Sequence, residues 1–259
     1  ALPKPFQISF TPFFVALLLQ LAPPPSFSAD HNYIAIIIDD IGHNRRAGER
    51  AIDIHAHLTF AVIPETQHAV RLAIYAHSAG KEVMVHLPMA NTMNQPLGGL
   101  ALINGLSEQD VAMVLDQAVR LVPFASGINN HMGSALTQEP QAMVWLMRAV
   151  KRHKLFFVDS RTTHKTVASE IALQENIRTA SRDVFLDNDR SLYGIDKEFR
   201  RLLAVAKRRK TAIAIGHPYP STLQYLEYAI PMLKREGVRL ISVSEMLNLR
   251  LAERQLASY

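Results

Sequence analysis

Ile34-Ala35-Ile36-Ile37-Ile38-Asp39-Asp40 is the stretch whose reading decides the fold. The run is short, continuously apolar and rich in β-branched residues, as expected of a strand buried on both faces of a parallel sheet. Two carboxylates then stand at its carboxyl end, where α/β folds gather their active sites. Adjacent side chains on an extended segment point to opposite sides, so one Asp is free to bind a cation while its neighbour does something else. Three further segments repeat the arrangement with histidine: Val83-Met84-Val85-His86, Gly127-Ile128-Asn129-Asn130-His131 and Ala212-Ile213-Ala214-Ile215-Gly216-His217. Four strand ends bearing Asp or His point to one shared metal site.

Outward from these segments, apolar strand-like runs alternate with amphipathic stretches. Strands are expected at 33–39, 57–63, 82–87, 126–130, 155–159, 183–187, 211–216 and 238–242. Helices are expected at 67–79, 108–121 (capped by Ser107), 138–153 (with Pro140 in its first turn), 195–209 and 221–236. This alternation argues for an α/β fold, a parallel barrel covered by helices. No linker or low-complexity block divides residues 30–259, so a single domain is expected there. The Pro- and Gly-containing stretch 88–106 follows His86 and is positioned to shape an active site.

Composition bounds the function. The 259 residues are 48% hydrophobic and carry 28 Lys and Arg against 23 Asp and Glu, a formal charge of +5. The basic clusters Lys151-Arg152-His153-Lys154 and Lys207-Arg208-Arg209-Lys210 each precede a strand-like run. They read as solvated helix ends, where cations are favoured, and no aromatic-interleaved basic stripe supports nucleic-acid binding. The chain has no cysteine, which excludes a disulfide scaffold, a thiolate metal site and a cysteine nucleophile. Phe13–Ala22 is an apolar run of signal-peptide length, preceded by Lys4 and followed by Pro23-Pro24-Pro25 and the small residues of Ser26-Phe27-Ser28-Ala29. Residues 1–29 are therefore expected to be a secretory signal that sends the remainder to a bacterial periplasm, with no transmembrane helix left after cleavage.

Asp40, His86 and His131 form a candidate cation site for zinc or a similar divalent metal, with positions open to water and substrate. Asp39 stands within reach to accept a proton from a metal-bound water, and His217 to donate one to a leaving group. That is the machinery of amide or ester hydrolysis. Asp159 is expected to orient a neighbouring histidine or to contact substrate, and Asp187 to do the same or to cap a loop. The competing structural role for Asp39 and Asp40 is to cap the next helix. His43 and His164, each just past a site strand, are the other histidines of interest. Gly-x-Ser-x-Gly and Gly-x-x-x-x-Gly-Lys patterns are absent.

Ile36-Ile37-Ile38-Asp39-Asp40-Ile41-Gly42, His86-Leu87-Pro88-Met89, Gly127-Ile128-Asn129-Asn130-His131-Met132-Gly133-Ser134, Val158-Asp159-Ser160 and Ile215-Gly216-His217-Pro218 resemble the divergent polysaccharide deacetylases, relatives of the NodB-like carbohydrate esterases. The resemblance covers residues 33–248. It implies a distorted (β/α)7 barrel and metal-dependent removal of acetyl groups from N-acetylated sugars, with an acetylated envelope glycan as substrate. It also implies that Asp39 is the base, Asp40 a metal ligand and His217 the acid. The chain departs from the NodB pattern at two points. Ala90, not His, follows His86 by four residues, so the second histidine ligand is expected from His131, and the Arg-x-Pro-Tyr motif is missing. A catalytically degenerate glycan-binding or envelope-scaffold protein on the same fold is the alternative.

Overall fold

A computed structural model describes residues 31–256. The proposed signal segment lies outside the described residues. Nine parallel strands form one sheet: β1 (Asn32–Ile41), β2 (Thr59–Val62), β3 (Glu82–Met89), β4 (Ala125–Met132), β5 (Phe156–Asp159), β6 (Thr179–Ser181), β7 (Val184–Phe185), β8 (Thr211–Gly216) and β9 (Val238–Leu240). Their order is β6-β5-β4-β3-β2-β1-β8-β7, with β9 paired to the first residues of β1. Helices α1 (Arg45–Ile52), α2 (Ala69–Ser78), α3 (Glu108–Leu121), α4 (Pro140–Arg152), α5 (Ala168–Gln174), α6 (Leu192–Arg209), α7 (Pro220–Ala229) and α8 (Val243–Leu256) accompany them.

The sheet curls into a seven-position barrel with one distorted position. The segment 179–185 pairs with β5 through its first half and with β8 through its second. The ring is thus completed on that side by the covalent chain rather than by a ladder. The chain crosses over at Arg182, whose N–H donates to the Asp159 carbonyl (3.0 Å), and Asp183, whose N–H donates to the Ile213 carbonyl (2.8 Å).

Strand alternation sorts the core into two layers. Ile34, Ile36, Ile38, Val83, Val85, Ile128, Phe157, Ala212 and Ala214 face outward and bury the helices' apolar faces. Ala35, Ile37, Met84, Phe156, Val158, Ala180, Ile213 and Ile215 fill the lumen. Val243, Met246 and Leu247 of α8 close the lumen at the strands' amino ends. Glu82 anchors that plug by accepting from Thr59 Oγ1 (2.9 Å) and from the N–H groups of Val243 (2.8 Å) and Ser244 (3.2 Å) at the start of α8. The opposite mouth is left for chemistry.

Every expected strand is present, and the Ser107 cap is a full capping box with Asp110. The short elements β6, α1 and α5 and the longer helix α8 are additions. Each is too short, or too mixed in polarity, to carry a clear period of its own. The stretch expected as one helix over 221–236 is α7 followed by a 3₁₀ turn, Ile230–Glu236, where Pro231 interrupts the α-helical hydrogen bonding.

Gly127 faces the lumen beside Phe156, and a Cβ there would fall on the Phe156 ring. Gly127→Ala should therefore lower stability by about 1–3 kcal/mol, the usual cost of overpacking. Urea unfolding will measure this, and adding Phe156→Leu should recover part of the loss; additive losses would mean that the two side chains do not compete for space.

Candidate metal centre and its flanking acid and base

Extending the lumenal alternation by two residues beyond the apolar filling gives a polar tier at the mouth. Ile37 is followed by Asp39, Met84 by His86, Gly127 by Asn129, Val158 by Ser160, Ala180 by Arg182 and Ile215 by His217. Parity places Asp39 in this tier but not Asp40. A register shift between Ile38 and Ile41, together with the left-handed backbone of Asp40 (φ 58°), swings the second carboxylate back to the mouth. Aspartate tolerates that conformation better than most residues. Both carboxylates consequently reach one imidazole: Asp39 Oδ2 is 3.5 Å and Asp40 Oδ1 3.3 Å from His86 Nε2.

His131, two residues beyond Asn129 on β4, completes the cluster. Its Nδ1 lies 3.0 Å from Asp40 Oδ1 and 3.0 Å from His86 Nε2. Tetrahedral zinc, with bonds of about 2.0–2.1 Å, separates its ligand atoms by about 3.3 Å. The three edges of 3.0, 3.0 and 3.3 Å match that triangle. Asp40 Oδ1 is buried and makes no hydrogen bond. The donor set and its geometry therefore fit a divalent cation.

The electrostatics agree. Burial works against the charge of Asp40, but the imidazoles of His131 and His86 outweigh it and hold the carboxyl well below the usual range. Burial likewise opposes a charge on His86, and Asp39 and Asp40 overcome this and push it up. The cluster attracts positive charge. Asp39 differs: its complete burial dominates over His86, His217 and Asn129, and raises its pKa.

The Asn-Asn-His-Met segment can now be read residue by residue. Asn129 Oδ1 lies 2.7 Å from His86 Nδ1, while its Nδ2 donates to Asp39 Oδ1 (2.8 Å). As acceptor, Asn129 requires the proton on His86 Nδ1, which leaves Nε2 as the ligand atom. Asn130 points the other way and splices strand ends, accepting from Ser160 N–H (2.9 Å) and donating to the Met132 carbonyl (2.7 Å). His131 joins Asp40 and His86, and Met132 and Gly133 turn the chain in left-handed conformations (φ 54° and 89°).

His217 directly follows β8, the neighbour of β1, its Nε2 3.7 Å from Asp40 Oδ2. Asp187 accepts from His217 Nδ1 (2.9 Å), His217 N–H (2.6 Å) and Thr222 Oγ1 (2.8 Å). Burial alone would lower the His217 pKa, but its hydrogen bond to Asp187 prevails and raises it. Of the two carboxylates for which the sequence left a histidine-orienting role open, Asp187 is the one that takes it. The Asp159 carboxylate instead accepts from Arg161 N–H (2.8 Å) and Thr166 Oγ1 (3.0 Å), folding the loop after β5. Strand parity turns it away from the lumen, and the structure does not bring it to the histidines. His43 lines a cleft beside His131 with Glu65, Pro96, Gly98 and Gly99, whereas His164 is exposed on the loop after β5. The long connection after His86 forms that cleft's wall. It is pinned by Asn91, which accepts from Met93 and Gln95 N–H, and by the Thr92 N–H bond to Ser134 Oγ (3.0 Å).

Asn129 was legible only as part of a motif. Asn129→Leu should weaken divalent-metal affinity by about 10–100-fold, as removal of such outer partners does. Competition against a chromophoric chelator will measure it, with circular dichroism checking the fold. Unchanged affinity would mean that Asn129 does not align His86.

The comparisons with known proteins agree with this architecture. A match to the divergent polysaccharide deacetylase family spans residues 36–247. The chain is 36% identical over 215 residues to the uncharacterized protein YibQ of Escherichia coli (strain K12), covering 83% of this chain and 67% of that protein. In structure it resembles the uncharacterized protein ATU2773 of Agrobacterium tumefaciens C58, with a TM-score of 0.81 at 19% identity over 86% of this chain and 92% of that one. A more distant likeness is to the peptidoglycan deacetylase PdaC of Bacillus subtilis, with a TM-score of 0.55 at 16% identity over 89% of this chain and 98% of that one. With the family match reaching from β1 into α8 across every strand that contributes to the mouth, the chain belongs to the divergent polysaccharide deacetylase family.

Proposed function

We propose that this protein is a periplasmic, metal-dependent hydrolase that removes acetyl groups from an N-acetylated envelope glycan. The observation that carries the proposal is the convergence of Asp40 Oδ1, His86 Nε2 and His131 Nδ1, with Asp39 3.5 Å from His86 and His217 3.7 Å from Asp40. A zinc-type ion held by Asp40, His86 and His131 would supply carbonyl polarisation and a more acidic water.

The chain's own groups account for the proton movements. Asp39 is tethered through Oδ1 by Asn129, which leaves Oδ2 turned to the mouth as the base for an attacking water. Its burial raises its proton affinity, which suits a group that must hold the abstracted proton. The water oxygen bonds to the acetyl carbon, and the carbon–nitrogen bond then breaks. His217 presents Nε2 to the mouth because Asp187 holds Nδ1, and it gives the departing amine its proton. The products are acetate and a free amino sugar.

Asp40→Ala and His131→Ala should each lose the bound ion, from about one per chain to none by elemental analysis, since three protein ligands are the minimum set for such a site. Asp39→Asn and His217→Ala should keep the metal and lose about 10²–10⁴-fold in kcat on acetylated oligosaccharides. Wild-type protein that binds metal and acetylated glycan without releasing acetate would instead favour a binding scaffold.

The Asp187–His217 pair adds a pH test. Asp187 raises the His217 pKa, so the acid form persists to higher pH than it otherwise would. Asp187→Asn removes that support, and the alkaline limb of the kcat profile should move to lower pH. A limb that stays in place would assign it to another group.

A further inference from the structure

The mouth is not electrically uniform. On the side away from the His43–Glu65 cleft, three successive strand ends carry arginines: Arg161 after β5, Arg182 after β6 and Arg190 after β7. Among the described residues none of the three has a carboxylate within ion-pair distance. The nearby acids are already engaged, Asp159 by Arg161 N–H and Thr166, and Asp187 by His217 and Thr222.

These arginines are held against the catalytic surroundings. Arg182 donates from Nε to the Ser160 carbonyl (2.7 Å) and from Nη2 to the Arg161 carbonyl (3.0 Å), and its Cζ lies 5.1 Å from the Phe185 ring centre. Its Nη1 has no acceptor among the described residues. Arg190 lies flat on Tyr219, 3.8 Å from the ring centre, and donates to the Tyr219 hydroxyl (2.9 Å). Phe185 and Tyr219 in turn flank the His217 ring, each with centres 5.3 Å away. Each aromatic ring beside His217 therefore carries a guanidinium.

A feature independent of the arginines points to a ligand here. Ser160 belongs to the lumenal polar tier, is only 5% exposed, and its hydroxyl has no hydrogen-bond partner. Such an orphaned group needs an occupant to satisfy it. Guanidinium forks match carboxylate and phosphate oxygens, and a partly desolvated cation binds them more strongly than an exposed one.

We propose that Ser160, Arg161, Arg182 and Arg190 form an anion subsite that takes a carboxylate or phosphate borne by the glycan next to the acetylated sugar. This rests on the proposed deacetylase reading for the placement of the acetylated sugar, and it narrows the substrate class from acetylated glycans to acidic ones. A neutral acetylated polymer would leave the guanidiniums and Ser160 unmatched on this side.

The test is calorimetric binding of metal-loaded protein to three acetylated oligosaccharides of equal length: neutral, bearing one carboxylate, and bearing one phosphate beside an acetamido sugar. One or both acidic probes should bind at least about tenfold more tightly than the neutral one, the effect of one charge-assisted contact, and the margin should shrink with added salt. Which probe prevails identifies the anion. Arg161→Gln with Arg190→Gln should abolish the preference while metal content and affinity for the neutral probe stay the same. Equal affinity for all three, a preference that survives the double substitution, or no binding at millimolar concentration each overturns the proposal. Acidic preference without acetate release would overturn the deacetylase reading alone. Acetate release from neutral and acidic probes bound equally well would overturn the subsite alone.

Discussion

One carboxylate oxygen held between two imidazole nitrogens sets the terms for everything around it. Three electron-rich atoms crowd within 3.0–3.3 Å of one another at the end of an apolar barrel, and such crowding is tolerable only around positive charge. The local backbone bends to produce it. Asp40 adopts a left-handed conformation, the β1–β2 register slips, and Met132 and Gly133 turn sharply just past His131. The carboxamide of Asn129 then links His86 to the neighbouring carboxylate, so that one side chain fixes the His86 tautomer and the Asp39 orientation together.

The barrel supports this by simple alternation. Period-two geometry stacks Asp39, His86, Asn129, Ser160, Arg182 and His217 one step above the apolar filling. The plug of α8 closes the other end, so the polar tier lies open at one face only. The ladder also accounts for one departure from the NodB pattern. With Ala90 where that pattern has a histidine, a second imidazole still reaches His86 from β4, because His131 pairs with Pro88 in the ladder.

Much of this was legible in the sequence because the strands are short apolar runs ending in chemistry-bearing residues. Such runs mark both the sheet and the mouth, and Asp40, His86, His131 and Asp39 are gathered where that reading put them. Asp159 misled because a carboxylate at a strand end looks alike whether it faces the lumen or the adjoining loop. Only the parity of Phe156 and Val158 decides that it faces outward and that Ser160 faces in. Asp187 was ambiguous for the converse reason, lying beyond a two-residue strand too brief to display a period. Asn129 and the three arginines carry no signal of their own, since their meaning comes from neighbours remote in sequence.

The crossover between β6 and β7 divides the molecule more finely than any loop does. Arg182 is fastened to the β5 side through the Ser160 and Arg161 carbonyls, and Asp183 to the β8 side through Ile213 N–H (2.9 Å) and Arg209 (3.1 Å). Two residues joined by one peptide bond thus belong to opposite banks of the barrel wall. The peptide bond between them, together with the Arg182 guanidinium over the Phe185 ring, spans the gap between the two ladders and holds the mouth closed on that side.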